Sequence, residues 1–369
     1  MSSKSGPRKR TPLFKREERH EFRYQLSVFL AELFSWIFWL IPKPIRYLLA
    51  DRAGDIFRRA TNTYRDNVEA NVAQVIGLTT ESAEVRAAVK SIFHTRSRNF
   101  TDLITTPRQS SNSLVGSLKV RHGHWGIVDD ALAQGKGVIL VSGHLGSFDQ
   151  VGQVFWARGY KLTIVTGRTT SRFIFDGVTH LRGSRGAKLV EPTPSGIRQV
   201  IRALRQGEVA VIVGDRDHFQ NGRTVELFGR TTTLPPGAIR IARDTGATIV
   251  PIAQRRTGRT HELDILEPFT VPRTADLEAD MTAGFANVLP RLEHAIRESI
   301  NQWVMFQRVW PETPAPALRV FPVGSPLESE LLEKVAQALP ERSPDGRKSL
   351  ISRRKTDSEE GTDNDAHIP

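Results

Sequence analysis

The 369-residue chain contains no cysteine. Disulfides, thiolate-bound zinc and thiol nucleophiles are therefore excluded, and the composition suits a reducing compartment. Acidic side chains are also short: 40 Asp and Glu face 52 Lys and Arg, for a formal charge of +12. That imbalance fits an anionic partner, either a nucleic acid or an anionic membrane surface. Few aromatics are interleaved with the basic residues, and neither zinc-finger spacing nor an RNA-binding sheet signature occurs. Membrane lipids or phosphate-bearing substrates are the better match, and no nucleic acid is expected.

Long hydrophobic runs are missing as well. The main apolar stretch, in LSVFLAELFSWIFWLIPKPIRYLLA (26–50), is broken by Glu32 and stopped by Pro42. It falls short of the roughly 20 apolar residues that span a bilayer. It also lacks the short apolar core and small-residue cleavage site of a signal peptide. Trp36, Phe38 and Trp39, with basic residues on both flanks, suit a helix lying in the bilayer interface. A helix roofing the core is the other reading, and one helix could do both. No G-x-S-x-G elbow and no internal repeat is present.

What is present falls into four zones. Residues 1–23 form a basic, flexible arm, and 24–114 a helical region carrying the interfacial helix. Residues 115–312 alternate strand and helix signals. Short Val/Ile-rich runs, GVILVSG (137–143), KLTIVTG (161–167), AKLVE (187–191), VAVIVGD (209–215) and TIVPIAQ (248–254), read as strands. SGIRQVIRALRQG reads as a helix, with Ile197, Val200, Ile201 and Leu204 on one face. The expected fold is α/β, a largely parallel central sheet flanked by helices. HELDILEPF (261–269) is expected as an outer strand, and 275–303 as a helix that Pro290 could split. Residues 313–369 are rich in Pro and charge, with a short helix candidate at Leu331-Leu332 and disorder expected over 341–369.

The pattern His-x4-Asp occurs twice, as His124/Asp129 and His144/Asp149. His124 follows no strand signal, and Asp129 heads a helix, where a carboxylate favours the free N–H groups. His144 stands at the end of a Val/Ile strand, the edge where α/β sheets place their chemistry. Gly143 and Gly146 permit a tight turn, and Ser147-x-x-Gln150 reads as a capping box opening the next helix. Asp149, in the first turn of that helix, is expected to point back at the His144 ring. Such a pair suits hydroxyl attack on a thioester. The imidazole accepts the hydroxyl proton, and a carboxylate on the far ring nitrogen fixes the tautomer. The N–H groups of the helix opening at Ser147 are available to a carbonyl or anionic oxygen.

Several blocks in order carry a resemblance. They are YRDNVEANVAQVIG (64–77), ALAQGKGVILVSGHLGSFD (131–149), LRQGEVAVIVGDRDHFQNGRTVELFGRTTTLPPGAIRIARDTGATIVPI (204–252) and QWVMFQRVWPE (302–312). Over about residues 60–312 the sequence resembles the bacterial lysophospholipid acyltransferase superfamily. Within it, the branch of lipid A late acyltransferases and phosphatidylinositol mannoside acyltransferases is the nearest in pattern.

The resemblance implies a membrane-associated O-acyltransferase with an acyltransferase-type sandwich fold. A His144/Asp149 dyad would pass a fatty acyl group from acyl-CoA or acyl carrier protein to a hydroxyl of a glycolipid or phospholipid, with no other cofactor and no metal. The site would lie at the cytoplasmic face of the inner membrane. Gly146, Ser147, Arg168, Arg182, Asp215, Arg216, Asp217, Glu226 and Gly229 are the expected substrate-binding residues, the two isolated arginines for donor or acceptor phosphates. Lipid A members frequently carry Glu where this chain has Asp149, and GDRD (214–217) is closer to the mannoside branch. A lipid thioesterase, with water replacing the acceptor, is one alternative. A non-catalytic basic protein that binds membranes or nucleic acid on the same scaffold is the other.

Overall fold

A computed structural model describes residues 16–167, 171–217, 222–258 and 260–310. The expectations for Arg168, for most of the basic arm, for Leu331-Leu332 and for the 341–369 tail lie outside the described residues. In chain order the elements begin with helices α1 (Arg16–Leu40), α2 (Lys43–Ala60), α3 (Asn62–Ile76), α4 (Ala83–Thr105) and α5 (Ser111–Gly116). Next come β1 (Leu118–His122), α6 (Gly126–Ala133), β2 (Val138–Ser142), α7 (Phe148–Ala157), β3 (Leu162–Val165), α8 (Arg172–Gly183), β4 (Lys188–Val190), α9 (Pro194–Arg205) and β5 (Val209–Val213). The last are β6 (Arg223–Leu227), β7 (Arg230–Leu234), α10 (Gly237–Thr245), β8 (Thr248–Thr257), β9 (Thr260–Ile265) and α11 (Leu277–Glu298).

Seven strands make the central sheet, in the order β1-β9-β8-β2-β5-β3-β4. Every pairing is parallel except β8 with β9. β2 lies in the middle and all five of its residues are buried, as a strand covered on both faces requires. Its side chains alternate between two apolar clusters. Ile139 and Val141 join a core built with helices α3, α4, α10 and α11. Val138 and Leu140 join the opposite cluster, with Val128 and Phe155 of α6 and α7.

The five strands expected from Val/Ile runs are all present. Two elements were not anticipated. β1 is a partly exposed edge strand, so His124 does follow a strand, two residues past its end. HELDILEPF is not the outer strand, because β1 covers it. LKVRH gives little signal because its burial is one-sided and incomplete. The β6–β7 hairpin stands apart as a two-stranded sheet. Its turn residues Phe228 and Gly229 both have positive φ, 52° and 69°, the mirror-image turn that suits a two-residue hairpin. α11 runs through Pro290 unbroken.

The chain on either side of Pro42 forms two helices. α2 packs against α4 and α1 against α8. A side chain at Gly54 would come within 2.9 Å of the Phe93 carbonyl, so the α2–α4 crossing requires glycine there. Among the described residues no helix is long and apolar enough to cross a membrane. Exposed large apolar side chains are nevertheless concentrated here, including Phe29, Leu40, Leu48 and Ile56, each more than half exposed.

Candidate active site

The parallel register of β2 and β5 builds the centre of the site. Ser142 lies opposite Val213, so the residues two places beyond each strand, His144 and Asp215, emerge side by side at the carboxyl edge of the sheet. The His144 ring Nδ1 is 2.7 Å from Asp215 Oδ1, and the His144 backbone N–H donates to Oδ2 at 2.8 Å. Trp303 Nε1 donates to the same Oδ2 at 2.8 Å. Asp215 is fully buried, whereas the His144 side chain keeps about a quarter of its surface. Burial alone would push the Asp215 carboxyl up. The His144 ring, the two His144 hydrogen bonds and the Trp303 indole outweigh it and hold the group below the usual carboxylate range. Nδ1 is committed to Asp215, and no described residue is hydrogen-bonded to Nε2.

The expected partnership of Asp149 with His144 needs correcting. Asp149 does sit in the first turn of α7, but its two oxygens accept from Arg182 Nε and Nη2 at 2.7 and 3.1 Å. Arg182 Nη1 also reaches Thr166 Oγ1 at 3.1 Å. A bidentate guanidinium satisfies the carboxylate in a fixed plane, and the ring nitrogen goes to Asp215. Asp215, expected among the substrate-binding residues, is the histidine's hydrogen-bond partner, and Asp149, expected as that partner, is the arginine's.

A histidine hydrogen-bonded to a buried carboxylate at a sheet edge fits several chemistries, and comparison with known proteins narrows them. The model of the bacterial lipid A biosynthesis acyltransferase family matches residues 12–312. The chain belongs to that family. A phosphatidylinositol mannoside acyltransferase of Mycobacterium tuberculosis is 24% identical over 249 residues, 66% of this chain and 77% of the relative. Its counterpart in Mycolicibacterium smegmatis is 28% identical over 127 residues, 33% of this chain and 41% of the relative. A lipid A biosynthesis acyltransferase of Haemophilus influenzae is 24% identical over 141 residues, 37% of this chain and 44% of the relative. The protein is thus an acyltransferase.

In this acyltransferase the turn after His144 is held from below. Gly146 has φ of 47°, and a side chain there would meet the backbone of Gln254 and Arg255 at 2.8 Å. Asn99 Nδ2 donates to the Gly146 carbonyl at 2.6 Å. Ser147 is buried, and its hydroxyl meets Asn99 Oδ1 at 3.2 Å and Asp102 Oδ2 at 3.4 Å, beside Arg256. Ser147 therefore makes no capping bond to α7, and the expected capping box is not formed. The hydroxyl is used by α4 instead. Arg256 Nη2 donates to Asp102 Oδ2 at 2.6 Å, and Tyr47 OH donates to Asp102 Oδ1 at 2.8 Å. Burial opposes the Asp102 charge, but Arg256 above all keeps its carboxyl below the ordinary value.

The remaining expected residues divide by location. Arg216, next to Asp215, donates through Nε to Gln307 Oε1 at 2.5 Å. Asp217 Oδ2 accepts from Gly222 N at 2.8 Å and Thr233 Oγ1 at 2.9 Å, so it ties the hairpin to the sheet edge. Glu226 is exposed on β6 opposite Thr231, and Gly229 serves the hairpin turn. No hydrogen bond or ion pair among the described residues joins either to His144, Asp149 or Asp215.

Sequence reading did not single out Asn99, Asp102, Arg256 or Trp303. Asn99 and Asp102 lie on one α4 face that looks merely polar in sequence, and their partner Arg256 is more than 150 residues away. Asp215 did carry a signal. VAVIVGD repeats the plan of VILVSGH, a Val/Ile strand, a glycine and a titrating group.

Proposed function

We propose that this acyltransferase passes a fatty acyl group from a thioester, acyl-CoA or acyl carrier protein, to a hydroxyl of a membrane glycolipid, with His144 as general base and Asp215 as its orienting acid. The observation that carries the reading is the His144–Asp215 contact at 2.7 Å, which leaves Nε2 facing away from the acid. The acceptor oxygen forms its bond to the thioester carbonyl carbon while its proton passes to Nε2. The tetrahedral intermediate then expels the thiolate, which takes that proton from the imidazolium. Asp215 keeps the ring's Nδ1 protonated and stabilises the transient positive charge. Arg182, fixed on Asp149, is available to a donor or acceptor phosphate at the same edge.

A sugar or polyol hydroxyl on a phosphate-bearing lipid is the favoured acceptor. The match to the mycobacterial mannoside enzyme extends over 249 residues, against 141 for the lipid A enzyme. Exposed apolar side chains on α1 and α2, which follow the basic arm in sequence, support docking on an anionic bilayer. A thioester donor made inside the cell then assigns the site to the cytoplasmic face.

The test follows a radiolabelled acyl-CoA and, separately, acyl carrier protein into extracted lipid, using purified wild type and His144→Ala. Lipid mass spectrometry of cells lacking or overproducing the protein identifies the acceptor. Label in free fatty acid alone, equal with and without lipid, would replace transfer by thioester hydrolysis. No His144-dependent label in either pool would leave only a binding role.

A further inference from the structure

Many of the enclosed or half-enclosed arginines among the described residues have a carboxylate. Arg98 is paired with Asp51, Arg121 and Arg255 with Asp264, Arg182 with Asp149, Arg243 with Asp280 and Arg256 with Asp102. Such pairing is expected, because a desolvated cation without a counter-charge is costly. Among the described residues Arg46, Arg58, Arg96, Arg185 and Arg216 form no such ion pair, and of these Arg96 and Arg216 flank the segment that passes His144.

Arg96 is on α4, three residues before Asn99, hence on the same helix face and about one turn from the bond to Gly146. Its guanidinium stacks on Phe57 at 4.2 Å and stands 5.1 Å from the Phe100 ring and 5.4 Å from the Phe306 ring. No described residue hydrogen-bonds to it. Phe306 belongs to the segment that passes the base, since Val304 N donates to the His144 carbonyl at 2.8 Å. Gln307, next along, is the neutral partner of Arg216. Arg216 has Asp215 beside it in sequence, but that carboxylate is committed to His144 and Trp303. Burial is the largest influence on both arginines and pulls each below the ordinary value; Asp215 opposes it at Arg216, and Tyr64 lies close enough to act on both. Tyr64 and Phe100 are exposed, as is Gln307, so the cluster opens to solvent.

We infer that Arg96 and Arg216 form an anion site, flanking Phe306 and Tyr64, that takes a phosphate ester of one of the substrates. Aromatic rings hold the Arg96 plane without using its N–H groups, which remain available for phosphate oxygens. Its link to acyl transfer rests on the function proposed above; its binding chemistry does not. Two sources share that chemistry, the phosphates of a coenzyme A donor and the phosphodiester of an acceptor headgroup.

Isothermal titration of the purified full chain distinguishes them. One arm uses coenzyme A, one uses glycerophosphoinositol, and methyl mannoside is the uncharged control. Wild type should bind one phosphate probe and not the control, and the probe that binds names the source. Arg96→Gln and Arg216→Gln should each weaken that probe by roughly 10- to 100-fold, the range for hydrogen bonds to a charged group. Arg96→Lys, which keeps the charge but loses the stacked plane, should lose less. Should Arg96→Gln fail to fold by circular dichroism, Arg96→Lys and the less enclosed Arg216→Gln carry the test. Wild type that binds neither phosphate probe overturns the inference, as do folded variants with wild-type affinity. The titration reads binding and not turnover, so a failed acyl-transfer assay leaves its outcome intact.

Discussion

His144 and Asp215 are 71 residues apart in the chain and 2.7 Å apart at the ring nitrogen. The contact follows from strand register, since each residue stands two places beyond a paired position of β2 and β5. Asp215→Asn should therefore lower kcat by about 10²–10⁴-fold with little change in KM, because an amide can still hydrogen-bond but cannot balance an imidazolium. His144→Ala should lose at least as much, and His124→Ala should be mild. Kinetics with a labelled acyl donor, with circular dichroism on each variant, make the comparison. Equal losses for the two histidines would sink the assignment of the base.

The Asp149–Arg182 pair predicts a different kinetic pattern. Each carboxylate oxygen holds one guanidinium nitrogen, so the two side chains form one unit. Asp149→Asn and Arg182→Gln should each raise KM more than they lower kcat. Their combination should cost little more than either alone, with a coupling of about 0.5–3 kcal/mol in a double-mutant cycle. Strict additivity of the two changes would show that Asp149 acts apart from Arg182.

These two pairs also mark how much was legible in the sequence. The five strands expected from Val/Ile runs were, because parallel strands covered by helices read as near-continuous Val/Ile runs, and three of them, β2, β3 and β5, run into a glycine. The position of His144 followed from the same feature. The partner of His144 was not legible. His-x4-Asp makes Asp149 the near acid in sequence, but which acid meets the ring depends on the order of strands in the sheet, and β5 is the immediate neighbour of β2. β1 was hidden because an edge strand exposed on one side lacks the apolar run. The Ser147 capping box failed for a tertiary reason: Asn99, Asp102 and Arg256 compete for the hydroxyl and win it. Arg96 was silent because two of its three rings, Phe57 and Phe306, come from segments distant in sequence, and Phe100 alone, on the same helix, gives no distinctive pattern.

The outer surface of α1 and α2 supports a prediction about docking. Phe29, Leu40 and Leu48 are 62%, 78% and 55% exposed, so little folding energy depends on them. Changing all three to Asp should abolish co-sedimentation with anionic vesicles while leaving the melting temperature within a few degrees. Raising salt from 0.1 to 1 M shortens the screening length from about 10 to 3 Å, and it should weaken the wild-type interaction through the basic residues. Triple-variant protein that still sediments with vesicles would remove this face from the docking surface.

The last prediction concerns acid stability and begins at a buried histidine outside the reacting centre. His261 on β9 is 1% exposed, and its Nδ1 has no hydrogen-bond partner. Burial above all depresses its pKa to about 4; Asp102 opposes the shift, and Arg256 and Lys43 add to it. The folded protein therefore keeps this ring neutral over a range in which the unfolded chain, near the ordinary 6.5, takes up a proton. The unfolded state binds more protons between the two values, so stability is fully present above about pH 6.5 and is lost as pH falls toward 4. A displacement of that size corresponds to about 3 kcal/mol across the window. The carboxylates held low, Asp102, Asp215 and Asp264, contribute below it, because their unfolded values lie near 3.9. Urea unfolding at pH 7, 6, 5 and 4.5 should trace the decline in wild type. His261→Gln should flatten it between pH 6.5 and 4.5 whatever its absolute stability, because the titrating group is gone. A variant whose unfolding free energy falls with the wild-type slope would assign the acid sensitivity to other groups.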